Sequence, residues 1–185
     1  MLYLYFIIMS VLVGLLRKGN LNALTHISIK KMELIILAAL IQAGLIFLGG
    51  KKIPLVLRFS AYPMIFSYIL LLYVTWYNQA LKGINLIALG IGLNFFVILA
   101  NNGQMPVLLT SLHRAGLHDF VQNLKEGTYV THVLISDKTL FRFLADVIPL
   151  SRPFPDPSVV SVGDFLMFYG VFNLIQNAML VKKDS

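Results

Sequence analysis

"MELIILAALIQAGLIFLG", Met32 to Gly49, is an apolar run interrupted by Gln42. A helix satisfies its backbone N–H and C=O groups within its own segment, so a run of this kind suits hydrocarbon as well as it suits a protein core. A bilayer core about 30 Å thick asks for about 20 such residues. The rest of the chain decides between the two settings. Hydrophobic residues make up 58% of the 185 residues and charged residues 12%, and the mean hydropathy is +0.80. Soluble domains are about half apolar and a quarter charged. So few charges cannot cover a soluble fold of this size, and the chain is expected to be an integral membrane protein.

Working outward, four further runs are expected to span: Leu2 to Leu16, Leu55 to Tyr77, Ile84 to Ala100 and Val159 to Val181. The first invites comparison with a secretory signal. It has no basic stretch before it and no small-residue cleavage site after it, and it ends on Arg17 and Lys18, so it is expected to be retained. Pro63 lies near the start of its span, where a proline disturbs a helix least. The expected fold is an all-α bundle of five transmembrane helices forming one membrane domain over 1–185, with one or two interfacial helices between spans four and five.

Lys and Arg in short loops set orientation. Arg17, Lys18, Lys30, Lys31, Lys82, Lys182 and Lys183 fall on one side, against Lys51, Lys52 and Arg58 on the other. The bias places the amino terminus outside and the carboxyl terminus inside. The net charge of +7 is then explained by anionic headgroups and implies no nucleic acid. Cysteine is absent, which excludes disulfides, thiol nucleophiles and iron–sulfur clusters.

The segment 101–158 is long for a connection and too apolar for disorder. Apolar residues from Pro106 to Leu124 recur at three- and four-residue intervals, which predicts an amphipathic helix. A second short helix is expected from Asp137, as N-cap, to Val147. "PLSRPFPDP", Pro149 to Pro157, reads as an extended connector into the last span, and Ser161 with Asp164 resembles a capping box. In "ANNGQMPVLL", Ala100 to Leu109, Gly103 is expected to end a helix and Pro106 to begin the next. Asn101, Asn102 and Gln104 are also candidates to hold a polar ligand at headgroup level.

"NNGQMPV", "SDKTLFRFLADVIPL" and "SVGDFLMFYG" together resemble an uncharacterised family of small bacterial multi-pass membrane proteins, a domain of unknown function. The resemblance implies a bacterial inner-membrane protein with a single five-helix domain, and it brings no activity with it.

Candidate chemistry falls into three groups. Gln42, Ser67, Asn94 and Asn173 lie near the middle of their spans, where they serve either one polar site at a common depth or interhelical hydrogen bonds. No span carries a central charge, the usual mark of an ion path. His132, Arg142, Asp146 and Asp164 are the acid–base candidates, and six of the eight acidic residues lie between Asp119 and Asp164. Their spacing matches no metal motif, so no metal or cofactor is expected, and Arg142 with Asp146 at i,i+4 fits a surface ion pair. Gly163 and Gly170, seven apart, form a small-residue face suited to close helix packing.

Three function classes follow. The first is a non-enzymatic protein that recognises a lipid, a small apolar molecule or a membrane partner, including a second copy of itself. The others are an enzyme acting on a lipid headgroup through His132, Asp146 and Asp164, and a transporter subunit.

Overall fold

The computed structural model describes residues 2–180; Lys182, Lys183 and the end of the expected last span at Val181 lie outside the described residues. Eight α-helices carry most of the chain: α1 (Leu2–Leu16), α2 (Met32–Gly50), α3 (Pro54–Phe59), α4 (Ala61–Tyr77), α5 (Ile84–Ala100), α6 (Leu109–Ala115), α7 (His118–Lys125) and α8 (Val162–Leu180). Two two-stranded ladders are added: β1 (Met105–Val107) runs parallel to β2 (His132–Leu134), and β3 (Ile148–Leu150) runs antiparallel to β4 (Ser158–Val160). The mostly helical class matches the expectation. Among the described residues α2, at 19 residues, is the one helix both long and apolar enough to cross a membrane alone; α1, α4 and α5 are shorter apolar helices.

The expected span 55–77 is two helices. Pro63 has no N–H for the carbonyl of Phe59, four residues earlier, and its ring crowds that carbonyl. The chain breaks there, with α3 ending at Phe59 and α4 starting at Ala61. Pro54, by contrast, opens α3, where a missing N–H costs nothing. The last helix begins at Val162 and not at 159, because Val159 is paired with Pro149 in the hairpin.

Packed pairs place the long helices in the order α2, α4, α5, α8, α1. Glycine sets the closest of these approaches: a Cβ on Gly163 would meet the Asn94 side chain and the Gly90 carbonyl, and one on Gly170 would meet Ile87 and the Gly83 carbonyl. The small-residue face is therefore a seam inside the molecule, between α5 and α8. The start of α1, the end of α2, the start of α4, the end of α5 and the start of α8 all meet the segment 101–161, so successive long helices alternate in direction. Leu45, Met64, Val97 and Ile98 join Met105 and Val130 in one apolar cluster, and Leu2 and Phe168 join Leu150 and Val160 in another. These two clusters fasten the segment over one end of the bundle.

Four expectations for that segment are corrected. Pro106 does not start a helix; it lies in β1 beside Val133, and its carbonyl accepts from the Asp146 amide at 2.9 Å. The amphipathic stretch is two helices. Gly116, at φ 76°, ends α6 with Gly116 N–H to His113 C=O and Leu117 N–H to Leu112 C=O, both 3.0 Å, and left-handed backbone of this kind turns the chain. No helix runs from Asp137 to Val147: only Arg142–Leu144 makes a single 3-10 turn, because residues 145–147 lie extended along β1. "PLSRPFPDP" is a hairpin that folds back through β3 and β4 and not a straight connector.

Candidate functional site

β1 places the two groups at the centre of the site. It takes β2 on one side, with Met105 opposite His132, and the bridge from Val107 to Asp146 on the other. His132 Nε2 stands 3.6 Å from Asp146 Oδ2, a distance for charge attraction and too long for a direct hydrogen bond. The other ring nitrogen, Nδ1, is 2.9 Å from the Thr131 hydroxyl. The ring is flanked edge-on by Phe120 and Tyr129, with centroids at 5.6 Å and 5.7 Å. Asp146 is 7% exposed. Burial pushes its carboxyl up to about 6, the neighbouring His132 pulls it part of the way back, and the Asp164 carboxylate adds a smaller upward push. The Tyr129 phenol is also raised, by burial.

The α5–α8 seam brings in the second carboxylate. Ser161 N–H donates to Asp164 Oδ2 at 2.8 Å and Asp164 N–H donates to Ser161 Oγ at 3.1 Å, so the expected capping box is present. Asn94 Nδ2 donates to Asp164 Oδ1 at 3.0 Å and the Tyr3 hydroxyl donates to the same oxygen at 3.2 Å. Ser161 Oγ lies 2.8 Å from Asp164 Oδ2 and 2.9 Å from Asn94 Oδ1, with one proton to give. Asp164 is thus saturated by donors from α1, α5 and its own cap, and its work is structural.

These groups enclose a cavity of about 250 Å³ between the helix ends and the covering segment, lined by Tyr3, Gln42, Tyr68, Asn94, Thr131, His132, Asp146 and Asp164, with Ile46, Met64 and Phe168 among its apolar walls. A second cavity, of about 260 Å³, lies within the covering segment against Val107, Leu112, Leu117, Phe120 and Pro157. His132, Asp146, Ser158 and Val159 belong to both.

Of the sequence candidates, Gln42, Asn94, His132, Asp146 and Asp164 meet in one cavity. Gln42 Nε2 donates to Ser67 Oγ at 3.0 Å, and the Ser67 hydroxyl donates to the Met64 carbonyl at 2.7 Å. Asn173 does not join them: it lies toward the other end of the bundle with Arg17, Gln176 and Asn177, so the mid-span amides form no single layer. Asn101 is a structural tie, donating to the Val97 and Leu140 carbonyls and accepting from the Leu140 amide. Asn102 (φ 57°) and Gly103 (φ 80°) are both left-handed and turn the corner after α5, with Gly103 against Ala61. Gln104 bridges to the Val130 and His132 carbonyls and so anchors β2. Arg142 is exposed and 3.5 Å from Asp137; its expected partner Asp146 faces His132, because without a helix the i,i+4 relation is lost. Among the described residues no cluster of His, Asp or Glu is arranged to hold a metal. Tyr3, Tyr68 and Thr131 escaped the sequence reading. Nothing in their local sequence marks them, since an aromatic in an apolar helix and a threonine before a histidine are ordinary features.

Fold and site define a class: a mostly helical protein with its helix ends roofed by a small mixed segment over a polar cavity. The chain belongs to DUF5317, a family of unknown function, whose model matches residues 26–176. It is similar to an uncharacterised protein of Thermotoga maritima, with 33% identity over 124 residues, covering 65% of this chain and 68% of that protein. No solved structure matches.

Proposed function

We propose that this chain is a bacterial inner-membrane protein, a single five-helix domain with its amino terminus outside, that binds a small molecule or lipid headgroup in the cavity under its cover. Exposed apolar surface supports the membrane part. Leu16, Leu40, Phe47 and Trp76 are 84%, 64%, 63% and 67% exposed, a burden in water that vanishes when the neighbour is lipid. α1, α4 and α5 are about 22 to 26 Å long at 1.5 Å per residue, short of the hydrocarbon thickness, and local bilayer thinning accommodates such a mismatch at modest cost. The alternation of the long helices puts Arg17, Lys18, Lys30, Lys31 and Lys82 together at the end opposite the cover, which agrees with a cytoplasmic location for that end.

The observation that carries the binding function is that polar side chains from five helices and the cover converge on one half-open cavity while some of their capacity remains unspent. The Tyr68 hydroxyl and the Gln42 amide oxygen make no hydrogen bond among the described residues, and Asp146 has only the 3.6 Å approach of His132. Every fully buried side-chain nitrogen and oxygen among the described residues already has a partner, so these unpaired atoms are ones that open onto the cavity, where a ligand reaches them.

The test is native mass spectrometry of the purified protein released from nanodiscs of phosphatidylethanolamine and phosphatidylglycerol. One retained molecule is expected on the wild type, lost when Gln42→Leu and Tyr68→Phe remove the amide oxygen and hydroxyl left open to the cavity. Equal retention by wild type and variant would sink the proposal. The approach of His132 to Asp146 favours a second reading, hydrolysis of a lipid headgroup with Asp146 as the proton donor. Incubating the wild type with the molecule it retains separates the two: conversion over time that Asp146→Asn abolishes marks an enzyme, whereas a binding protein returns the molecule intact.

A further inference from the structure

The two cavities share the wall formed by His132, Asp146, Ser158 and Val159, and they differ in character. The one at the helix ends carries hydroxyls, amides and carboxylates set among the apolar walls of Leu2, Ile46, Met64, Met105 and Phe168. The one in the cover is lined mainly by Val107, Leu112, Leu117, Phe120 and Pro157. All four residues are held by backbone pairing, so only side chains of this wall can move, and His132 and Asp146 carry its largest polar ones. A site joining the two spaces across the His132 ring and the Asp146 carboxylate would have Gln42, Asn94 and Tyr68 at one end and Leu112, Leu117 and Phe120 at the other.

Charge defines the polar end. Neither cavity has a Lys or Arg in its lining, so a phosphate or carboxylate would meet no cation beyond His132. The Asp164 carboxylate is filled by its donors, whereas the Asp146 carboxylate is buried with an oxygen still available. The rings of Tyr3, Tyr68 and Phe168 line the same space. Gln42 adds an amide oxygen and Tyr68 a hydroxyl that need donors. Carboxylate, amide oxygen and phenol together match a primary ammonium group, which has three N–H donors and one positive charge.

We infer that the two cavities form one site for an amine-bearing amphiphile, its ammonium group on Asp146 and a short apolar tail in the cover against Leu117 and Phe120. This rests on the binding function proposed above and narrows its ligand. It also gives His132 a positioning role: held by Thr131 and by Phe120 and Tyr129, the ring guards the passage and leaves it when the tail enters.

The experiment measures thermal stabilisation of the full-length protein in a non-ionic detergent by three probes of equal chain length: n-octylamine, n-octanol and n-octyl sulfate. Octylamine is expected to raise the melting midpoint in a saturable way, and the other two are not. Asp146→Asn keeps the size of the side chain while removing its charge, and is expected to weaken octylamine about tenfold or more. Leu117→Trp fills the apolar end and is expected to abolish the advantage of octylamine over n-butylamine while the response to butylamine stays. Equal stabilisation by octanol and octylamine, or an undiminished octylamine response in Asp146→Asn, overturns the ammonium assignment. Equal preference for octylamine over butylamine in Leu117→Trp and the wild type overturns the joined site. A retained lipid in the nanodisc measurement with no amine response leaves the binding proposal standing and rejects this inference alone.

Discussion

Asp146 and Asp164 are two carboxylates in one cavity with different duties, and hydrogen bonding decides which is which. Asp164 collects donors from Ser161, Asn94 and Tyr3, which consume its hydrogen-bonding capacity. Asp146 is buried without comparable donors, and its carboxyl rises to about 6. The folded protein therefore holds that proton more tightly than the unfolded chain does. This makes protonation stabilising: the contribution is complete below the usual carboxylate range and is lost as pH rises through about 6. Lowering pH from about 7 to about 5 is expected to stabilise the wild type over Asp146→Asn by about 1 kcal/mol. Chemical denaturation of both proteins in mixed micelles checks it, and parallel pH profiles would show that Asp146 does not titrate as described.

At the scale of the element, the seam between α5 and α8 is what delivers Asn94 to Asp164. Its closeness depends on glycine at positions where any Cβ meets backbone. Gly163→Val is expected to cost about 2 to 3 kcal/mol, because the Gly90 carbonyl and the Asn94 side chain have no room to withdraw. Gly44, on α2, has nothing within 4 Å of an added Cβ. Gly44→Ala is therefore expected to be neutral or to stabilise by up to about 1 kcal/mol through helix propensity. Melting midpoints of the two variants in one detergent give the comparison, and similar losses at both positions would mean that the seam is not a close contact. The break between α3 and α4 belongs to the same scale, since one missing N–H at Pro63 divides an apolar run of otherwise uniform composition.

At the scale of the whole molecule, the cover and the bundle share two apolar clusters, so the cavity between them is a product of both. The orientation proposed above is tested at this scale. With the cover outside, Lys125 in α7 faces the exterior and Lys82, between α4 and α5, faces the cytoplasm. The absence of cysteine makes single introduced cysteines clean reporters. A membrane-impermeant maleimide applied to intact cells is expected to label Lys125→Cys and spare Lys82→Cys until the cells are opened. Labelling of position 82 alone would reverse the orientation, and labelling of both would remove the five-span arrangement.

The sequence by itself determined the helices and their nature. Apolar runs with few charges, bounded by Arg17 and Lys18 or by Asn101 and Gly103, define α1, α2, α5 and most of α4 and α8, because helix formation in such runs depends on local backbone bonding. The capping box at Ser161 and Asp164 was equally legible, being a contact across three residues. Gln42, Asn94, His132, Asp146 and Asp164 in the cavity were legible as residue types, since Asp, His, Asn and Gln in an apolar chain need a reason to be there. Tertiary structure alone decided the rest. Residues 137–147 look helical in isolation, but β1 offers Asp146 a backbone partner at Pro106 and Leu108, and that long-range pairing wins over a weak local preference. It also moves Asp146 from the side of Arg142 to the side of His132, 14 positions away. No periodicity encodes a contact of that kind; it exists only once strands distant in the chain lie side by side and the helices close beneath them.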